Sequence, residues 1–395
     1  MSKKIIHIIV FLVYCNVSFG QGSWTRKVDF GGGARWETVG FSIGGKGYFA
    51  HGSYQRDVWE YDPVLDVWEE KSSLPYPPVD VLTETTSFVI GSKAYIQCSV
   101  DSLPFWSYDA IADQWAPISD VGYRLSDGSA FSIGGKGYMC SGWDGQSCRN
   151  ELWEYNPQTD SWVQKASMPL CRPAAVAFTI GEVAYVGTGV ASGTGITGTK
   201  EFWKYEPAFD TWTPIADFGG IGRREAVAFV INNKGYVGLG GTNEGGIQRF
   251  SDFWEYDPLV DTWTQVADFP GAPRFTAGSF SIGSMGYVGT GDDPALEDFW
   301  EFNPRSSVDG IADRFGTDLF SLSPNPTDGA VRIKLADIGQ SYLLKVYNTI
   351  GGLLYSKKLG LSKQFEFDLP ETKGIYLVQI TRTDGAFETI KVIRK

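Results

Sequence analysis

The sequence predicts an all-β chain: a six-bladed β-propeller closed by its N-terminal strand, followed by a small Ig-like β-sandwich. Three observations carry that expectation. A stretch of alternating aromatics, Phe253-Trp-Glu-Tyr-Asp-Pro-Leu-Val-Asp-Thr-Trp263, recurs in versions beginning at Val58, Phe105, Leu152 and Phe202, with a truncated sixth at Phe299. A Phe-x-Ile-Gly-x-Lys-Gly-Tyr type hairpin stands upstream of each copy. Past residue 318 both patterns stop and a different alternation takes over.

Residues 1–20 have the anatomy of a secretory signal peptide: Lys3 and Lys4, an apolar run from Ile5 to Tyr14, then small and polar residues. That run is too short to span a bilayer. Cys15 invites a lipidated reading, which the bulky Tyr14 before it opposes, and cleavage near Gly20–Gln21 is expected instead. No later segment is apolar enough to cross a membrane, so an integral membrane protein is not expected.

Residues 21–304 hold 19 basic and 36 acidic side chains, a net charge of −17, and so argue against nucleic acid and anionic membrane surfaces as partners. Within this stretch the hairpin tyrosines Tyr48, Tyr95, Tyr138, Tyr185, Tyr236 and Tyr287 are spaced by 47, 43, 47, 51 and 51 residues. Each unit thus holds four short strands: a hairpin with a Gly-Gly, Gly-Ser, Gly-Glu or Asn-Asn turn, then a second hairpin turning at Asp-Pro or Asn-Pro. Such a unit cannot bury both its faces alone, and six packed around an axis can. Of 14 tryptophans, 12 fall in repeat register; only Trp36 and Trp143 stand outside it. The sixth unit lacks its last strand, and Ser23-Trp-Thr-Arg-Lys-Val-Asp-Phe30 matches Thr262-Trp-Thr-Gln-Val-Ala-Asp-Phe269. The N-terminal strand is therefore expected to complete the last unit and remove a sheet edge.

Residues 305–318 read as a linker, and residues 319–395 as about seven period-two strands separated by Gly or Asn turns. This part carries 11 basic and 7 acidic residues, net +4. Beyond the signal four cysteines remain, Cys98, Cys140, Cys148 and Cys171, whose three possible pairings the sequence leaves open, Cys140 with Cys148 or Cys171 being plausible.

The Gly-rich second strand (Tyr236-Val-Gly-Leu-Gly-Gly241), Trp-x-Tyr-Asp-Pro and the later Trp resemble kelch repeats, and the resemblance covers residues 24–304. The second unit departs most, with Gln97-Cys98-Ser99 in place of glycines. Pro324-Asn-Pro326, Val346-Tyr-Asn348, Lys373-Gly-Ile-Tyr-Leu-Val378 and the basic tail resemble the C-terminal sorting domain (type A) of the type IX secretion system. That resemblance implies export across the outer membrane of a Gram-negative bacterium by the type IX machinery, to the medium or the cell surface; a generic adhesive module is the alternative.

The chemistry expected is recognition. The copper oxidase of galactose, a kelch enzyme, needs two histidines with a Cys-linked tyrosine, whereas this chain has His7 in the signal and His51. His51 stands where other units carry glycine or Cys. No cofactor and no metal are expected. Variable connections share one face of the ring: Gly187 to Lys200, Thr242 to Asp252, and Asp292-Asp293-Pro294. An arginine precedes the repeat tyrosine by 13 residues at Arg35, Arg172, Arg223 and Arg274, and by 14 at Arg124. Carboxylates follow at Glu37, Glu84 and Glu225, with Asp127 nearby in the third unit. If these lie on strands, residues i and i+2 share a side, and arginines and carboxylates alternate around the channel mouth. They serve either as ion pairs between blades or as ligand contacts for a glycan or protein. The alternatives are a mutarotase or epimerase resembling the sialic-acid epimerases built on kelch propellers, with Glu225 as base, and a structural adhesin with no small ligand.

Overall fold

The computed structural model describes residues 22–75, 85–97, 105–122, 125–191, 197–292, 294–304, 320–323, 327–335, 342–348, 353–359, 364–370, 372–382 and 387–394. The chain divides into two compact units, 1–307 and 308–395. Among the described residues every regular element is a strand, and no helix is long and apolar enough to cross a membrane.

Residues 23–303 form six four-stranded antiparallel sheets, here units 1 to 6. Unit 1 runs Val39–Ile43, Lys46–Ala50, Val58–Asp62 and Val67–Lys71. Its first strand alternates buried and half-buried residues, its second is almost wholly buried and its fourth is largely exposed. Units 2 to 5 repeat this order, and the first strands of all six neighbour one another in a closed cycle. Unit 6 takes Gly278–Ile282, Met285–Gly289 and Phe299–Asn303 from the end of the repeats and Ser23–Arg26 from the start of the described chain. Trp24 pairs with Phe302 and Arg26 with Trp300 in that outer ladder.

The repeated residues explain the cycle. The Gly of each Lys-Gly-Tyr lies under the Phe of the preceding unit's first strand: a Cβ on Gly47 would run into the Phe280 ring, and one on Gly137 into Phe88. That close approach lets adjacent sheets pack face to face at the axis. Further out, the Asp of the Asp-x-Trp that ends the second hairpin latches neighbours together. Tyr205 donates its hydroxyl to Asp210 at 2.8 Å, and the same Oδ1 accepts the backbone N–H of Ala166 in unit 3 at 2.9 Å. Trp212 Nε1 donates to the Ala166 carbonyl at 2.8 Å. Asp113, Asp160 and Asp261 repeat the arrangement with Ser72, Ser119 and Ala216. Each of these aspartates sits at positive φ, 45–51°, a conformation that Asp and Asn tolerate better than most residues.

The second compact unit pairs a three-stranded sheet, Phe320–Ser323, Ala330–Leu335 and Gln364–Asp368, with a four-stranded one of Tyr342–Tyr347, Leu353–Leu359, Gly374–Arg382 and Phe387–Arg394. Val331, Ile333 and Leu335 from the first share one core with Leu344, Val346, Val378 and Ile380 from the second.

Cys148 and Cys171 form a disulfide, with their Cα atoms 5.9 Å apart. Cys140, for which a bridge to either was plausible, is a free buried thiol whose burial pushes it up to about 12. Cys140 lies in the packed second strand of unit 3, whereas Cys148 opens the lengthened third strand and Cys171 lies in the link to unit 4. Cys98 lies outside the described residues.

Candidate functional site

Among the described residues, connections that precede first strands meet connections between second and third strands at the mouth of the axis. A recess of about 430 Å³ there is lined by Trp36, Glu37, Glu225 and Thr276 from the first kind and by Asp292, Pro294 and Ala295 from the second. It shares Glu37, Glu225 and Thr276 with a smaller axial recess of about 130 Å³, which Thr38, Thr85 and Asp127 also line. Beneath it the channel wall is made of the first strands and the residue before them, Thr38, Val39 and Gly40 and Thr85, Thr86 and Ser87 among them.

The site residues expected from sequence divide sharply. Glu37, Asp127 and Glu225 line the axial recess. The four described arginines do not line either recess. Arg35, Arg172, Arg223 and Arg274 are 3, 4, 0 and 0% exposed. Each reaches a carboxylate just before its own unit's third strand: Arg223 bonds Asp252 twice at 2.8 Å, Arg274 bonds Asp298 at 2.6 and 2.9 Å, Arg35 bonds Asp57 at 2.6 and 3.0 Å, and Arg172 pairs with Glu201. These pairs lie within a unit, where pairing between blades was the expected structural alternative. Three of the arginines also bond the carbonyl just past the second strand, at His51, Leu239 and Thr290, and stack on Phe30, Phe218 and Phe269 from the preceding link. Arg124 and Glu84 lie outside the described residues.

Why arginine and carboxylate part company is a matter of backbone. The first strands begin three or four residues after the arginines, at Val39, Ala175, Val227 and Gly278, so the period-two rule does not reach them. Glu37, Asp127, Ala174, Glu225 and Thr276 all have left-handed φ, 52–57°. That turn sends the arginine inward and delivers the residue two places on to the mouth. Non-glycine residues in this region carry strain, and strain gathers at functional sites.

The carboxylates that hold the arginines had a readable signal in the sequence. Asp57, Glu201, Asp252 and Asp298 each stand immediately before the repeated aromatic pair, and Trp59, Trp254 and Trp300 donate Nε1 to three of them at 2.7 Å. Burial opposes ionisation of Asp252, but hydrogen bonds from Arg223 outweigh it and hold its carboxyl below the usual range; Asp298 is held down likewise by Arg274 and Trp300. At the mouth itself Arg224 pairs with Glu225 and Arg249 with Asp292 at 3.7 Å, and both guanidinium groups stack on Phe275, at 4.9 and 5.0 Å.

His51 is wholly buried at positive φ, its ring 5.8 Å from Trp115. The structurally matching residues are Ser141, Thr188, Leu239 and Thr290, also left-handed, where glycine or cysteine had been expected. Glycines 52, 142, 189, 240 and 291 come one residue later.

Comparison with known proteins fits this architecture. Residues 124–169 and 222–270 match the kelch motif, and residues 321–395 match the secretion system C-terminal sorting domain. Kelch-like protein terF of Aspergillus terreus is 30% identical over 186 residues, 43% of this chain and 40% of that protein. The N-acetylneuraminate epimerase of Pasteurella multocida is 34% identical over 111 residues, 27% of this chain and 28% of that protein. Kelch-like protein 24 of Rattus norvegicus is 29% identical over 128 residues, 32% of this chain and 19% of that protein. The chain thus spans less than half the length of each of these relatives. The solved structure of YjhT superposes on 70% of this chain and 95% of its own with a TM-score of 0.59 at 13% identity, a likeness of fold. Kelch motifs in the repeated sheets and a sorting domain at residues 321–395 make the chain a kelch-repeat protein carrying a type IX secretion sorting signal.

Proposed function

We propose that the chain is a six-bladed propeller, delivered to the medium or the cell surface by the type IX system through its Ig-like sorting domain, that binds an extracellular glycan or protein at its mouth. The observation that carries this is the recess of about 430 Å³ where both kinds of connection converge, lined by an indole, three carboxylates and a hydroxyl. A concave site with few convergent polar groups and an aromatic wall is the usual form of a binding pocket. In this reading Glu37 and Glu225 contact the ligand, and the buried arginines hold the loops that present them.

The test separates the two roles. Against a screen of glycans and extracellular proteins, a chain with Glu37→Gln and Glu225→Gln binds about tenfold more weakly with an unchanged melting temperature, while Arg223→Met, which strands Asp252, loses about 3–5 kcal/mol of stability. Loss of binding in Arg223→Met with full stability, or no change in the double glutamine variant, overturns the assignment.

A second reading has its own support. A stretch of this chain resembles an N-acetylneuraminate epimerase, and Arg224 beside Glu225 at the mouth offers a cation to an acidic sugar and a carboxylate base. Anomer exchange of sialic acid followed by NMR decides it, acceleration by the protein supporting the enzyme and an unchanged rate removing it.

A further inference from the structure

The mouth's own chemistry narrows the ligand. The tryptophans in repeat register pack units together or orient carboxylates. The two outside it, Trp36 and Trp143, both lie on the mouth face: Trp36 lines the larger recess, and Trp143 ends the lengthened second strand of unit 3, 44% exposed. Trp36 meets the half-exposed Tyr54 edge-on, with centroids 5.6 Å apart. Neither tryptophan shares in the inter-unit latches, and the register position of Trp36 holds another aromatic, Phe275, in unit 6.

Polar groups converge on the same place. Thr38, 7% exposed, lines the axial recess, and its buried hydroxyl has no hydrogen-bond partner among the described residues. The buried hydroxyl of Thr276, which lines both recesses, is likewise unpartnered. Leaving buried hydroxyls unsatisfied is costly, and a ligand group in the recess relieves it. Beside them stand the carboxylates of Glu37, Glu225 and Asp292.

The charge pattern sets the sign of the ligand. Among the described residues lining either recess there is no lysine or arginine. Arg224 and Arg249 are engaged with Glu225 and Asp292 and stacked on Phe275, so an anion would have to draw a guanidinium from its partner and face the remaining carboxylates. An uncharged sugar meets no such barrier. Its hydroxyls donate to carboxylate oxygens and to the threonine hydroxyls, and its C–H face lies on an indole.

Resting on the mouth as the recognition surface, we propose that the two adjoining recesses take an uncharged pyranose ring at a glycan terminus, laid against Trp36 of the larger, hydrogen-bonded by Glu37 and Glu225, which line both, and reaching Thr38 of the smaller. The full chain is titrated with glycans ending in glucose, galactose or mannose, and with counterparts ending in glucuronic or sialic acid. The expected result is binding of neutral termini only, weakened about tenfold by Trp36→Ala and retained by Trp36→Phe. Thr38→Val, nearly equal in shape, weakens binding without lowering the melting temperature, which keeps the test informative should Trp36→Ala unfold. Preference for acidic termini, lost in Arg224→Ala, overturns the uncharged-sugar assignment and leaves the mouth as the binding surface. Neutral binding indifferent to Trp36→Ala, Thr38→Val and Glu37→Gln overturns both.

Discussion

His51 shows how little a residue's identity says until its neighbours are known. It is the one histidine outside the first twenty residues, and a lone imidazole in an exported chain draws a catalytic reading. Its carbonyl instead accepts from Arg35, and its ring is buried against the next unit. Burial pushes the imidazole down to about 4, with Asp57 pulling weakly the other way. A folded value below the unfolded 6.5 means that the folded state resists protonation, so the stability this site contributes is complete above pH 6.5 and is lost as pH falls from there towards 4. Urea unfolding between pH 7.5 and 4.5 should therefore show a steeper decline for the native chain than for His51→Asn, since Asn adopts the left-handed backbone without titrating. Parallel profiles would place the imidazole in water. The same left-handed geometry explains what the sequence concealed. Arg35 and Glu37 look like same-side strand neighbours, but positive φ at Glu37 separates them, and nothing in the residue letters announces that turn.

At the scale of the hairpin, the Tyr-Asp-Pro-x-x-Asp-x-Trp unit was legible as structure because it repeats, and its meaning lies in the latch. One carboxylate oxygen of Asp210 accepts a hydroxyl from its own unit and an amide from the previous one, while Trp212 returns a bond to that neighbour. The repeated aspartate thus joins two sheets as well as turning one. Asp210→Ala removes both acceptor contacts and puts alanine at φ 50°, a combined cost of about 2–4 kcal/mol. Asp210→Asn keeps an acceptor and the backbone preference, so chemical denaturation should rank it between the native chain and Asp210→Ala. Equal losses for the two variants would show that the shared acceptor contributes nothing. The Cys148–Cys171 bridge was not legible in this way, because it joins two non-repeating segments whose proximity appears only once units 3 and 4 are set side by side.

At the scale of the whole ring, repetition made the scaffold readable and left the site obscure, since a scaffold is what the units have in common and a site is where they differ. Closure was visible because the sixth copy is cut short and its missing piece stands at the other end of the repeats. The structure divides the latch between the two junctions at the seam: Trp24 Nε1 donates to the Ala267 carbonyl at 3.0 Å as its counterparts do in units 2 to 5, with Gly22 in the place of their aspartate, and Asp66 accepts the Val28 amide at 3.3 Å while Trp68 Nε1 has no partner among the described residues. Trp24 also packs edge-on against Phe253 and Phe269 and lies against Phe302, joining units 5 and 6. A closed ring fails at whichever junction is opened, and the seam holds on fewer hydrogen bonds than the others. Trp24→Ala is expected to cost about 3–5 kcal/mol, and deletion of residues 22–30 exposes the edge of Phe299–Asn303 to other chains. Thermal unfolding should register the first as a large fall in midpoint, and size-exclusion chromatography the second as higher-mass species. A deletion variant that keeps the native elution volume and midpoint would mean that the ring closes by packing of the inner strands at the axis, with the outer ladder dispensable.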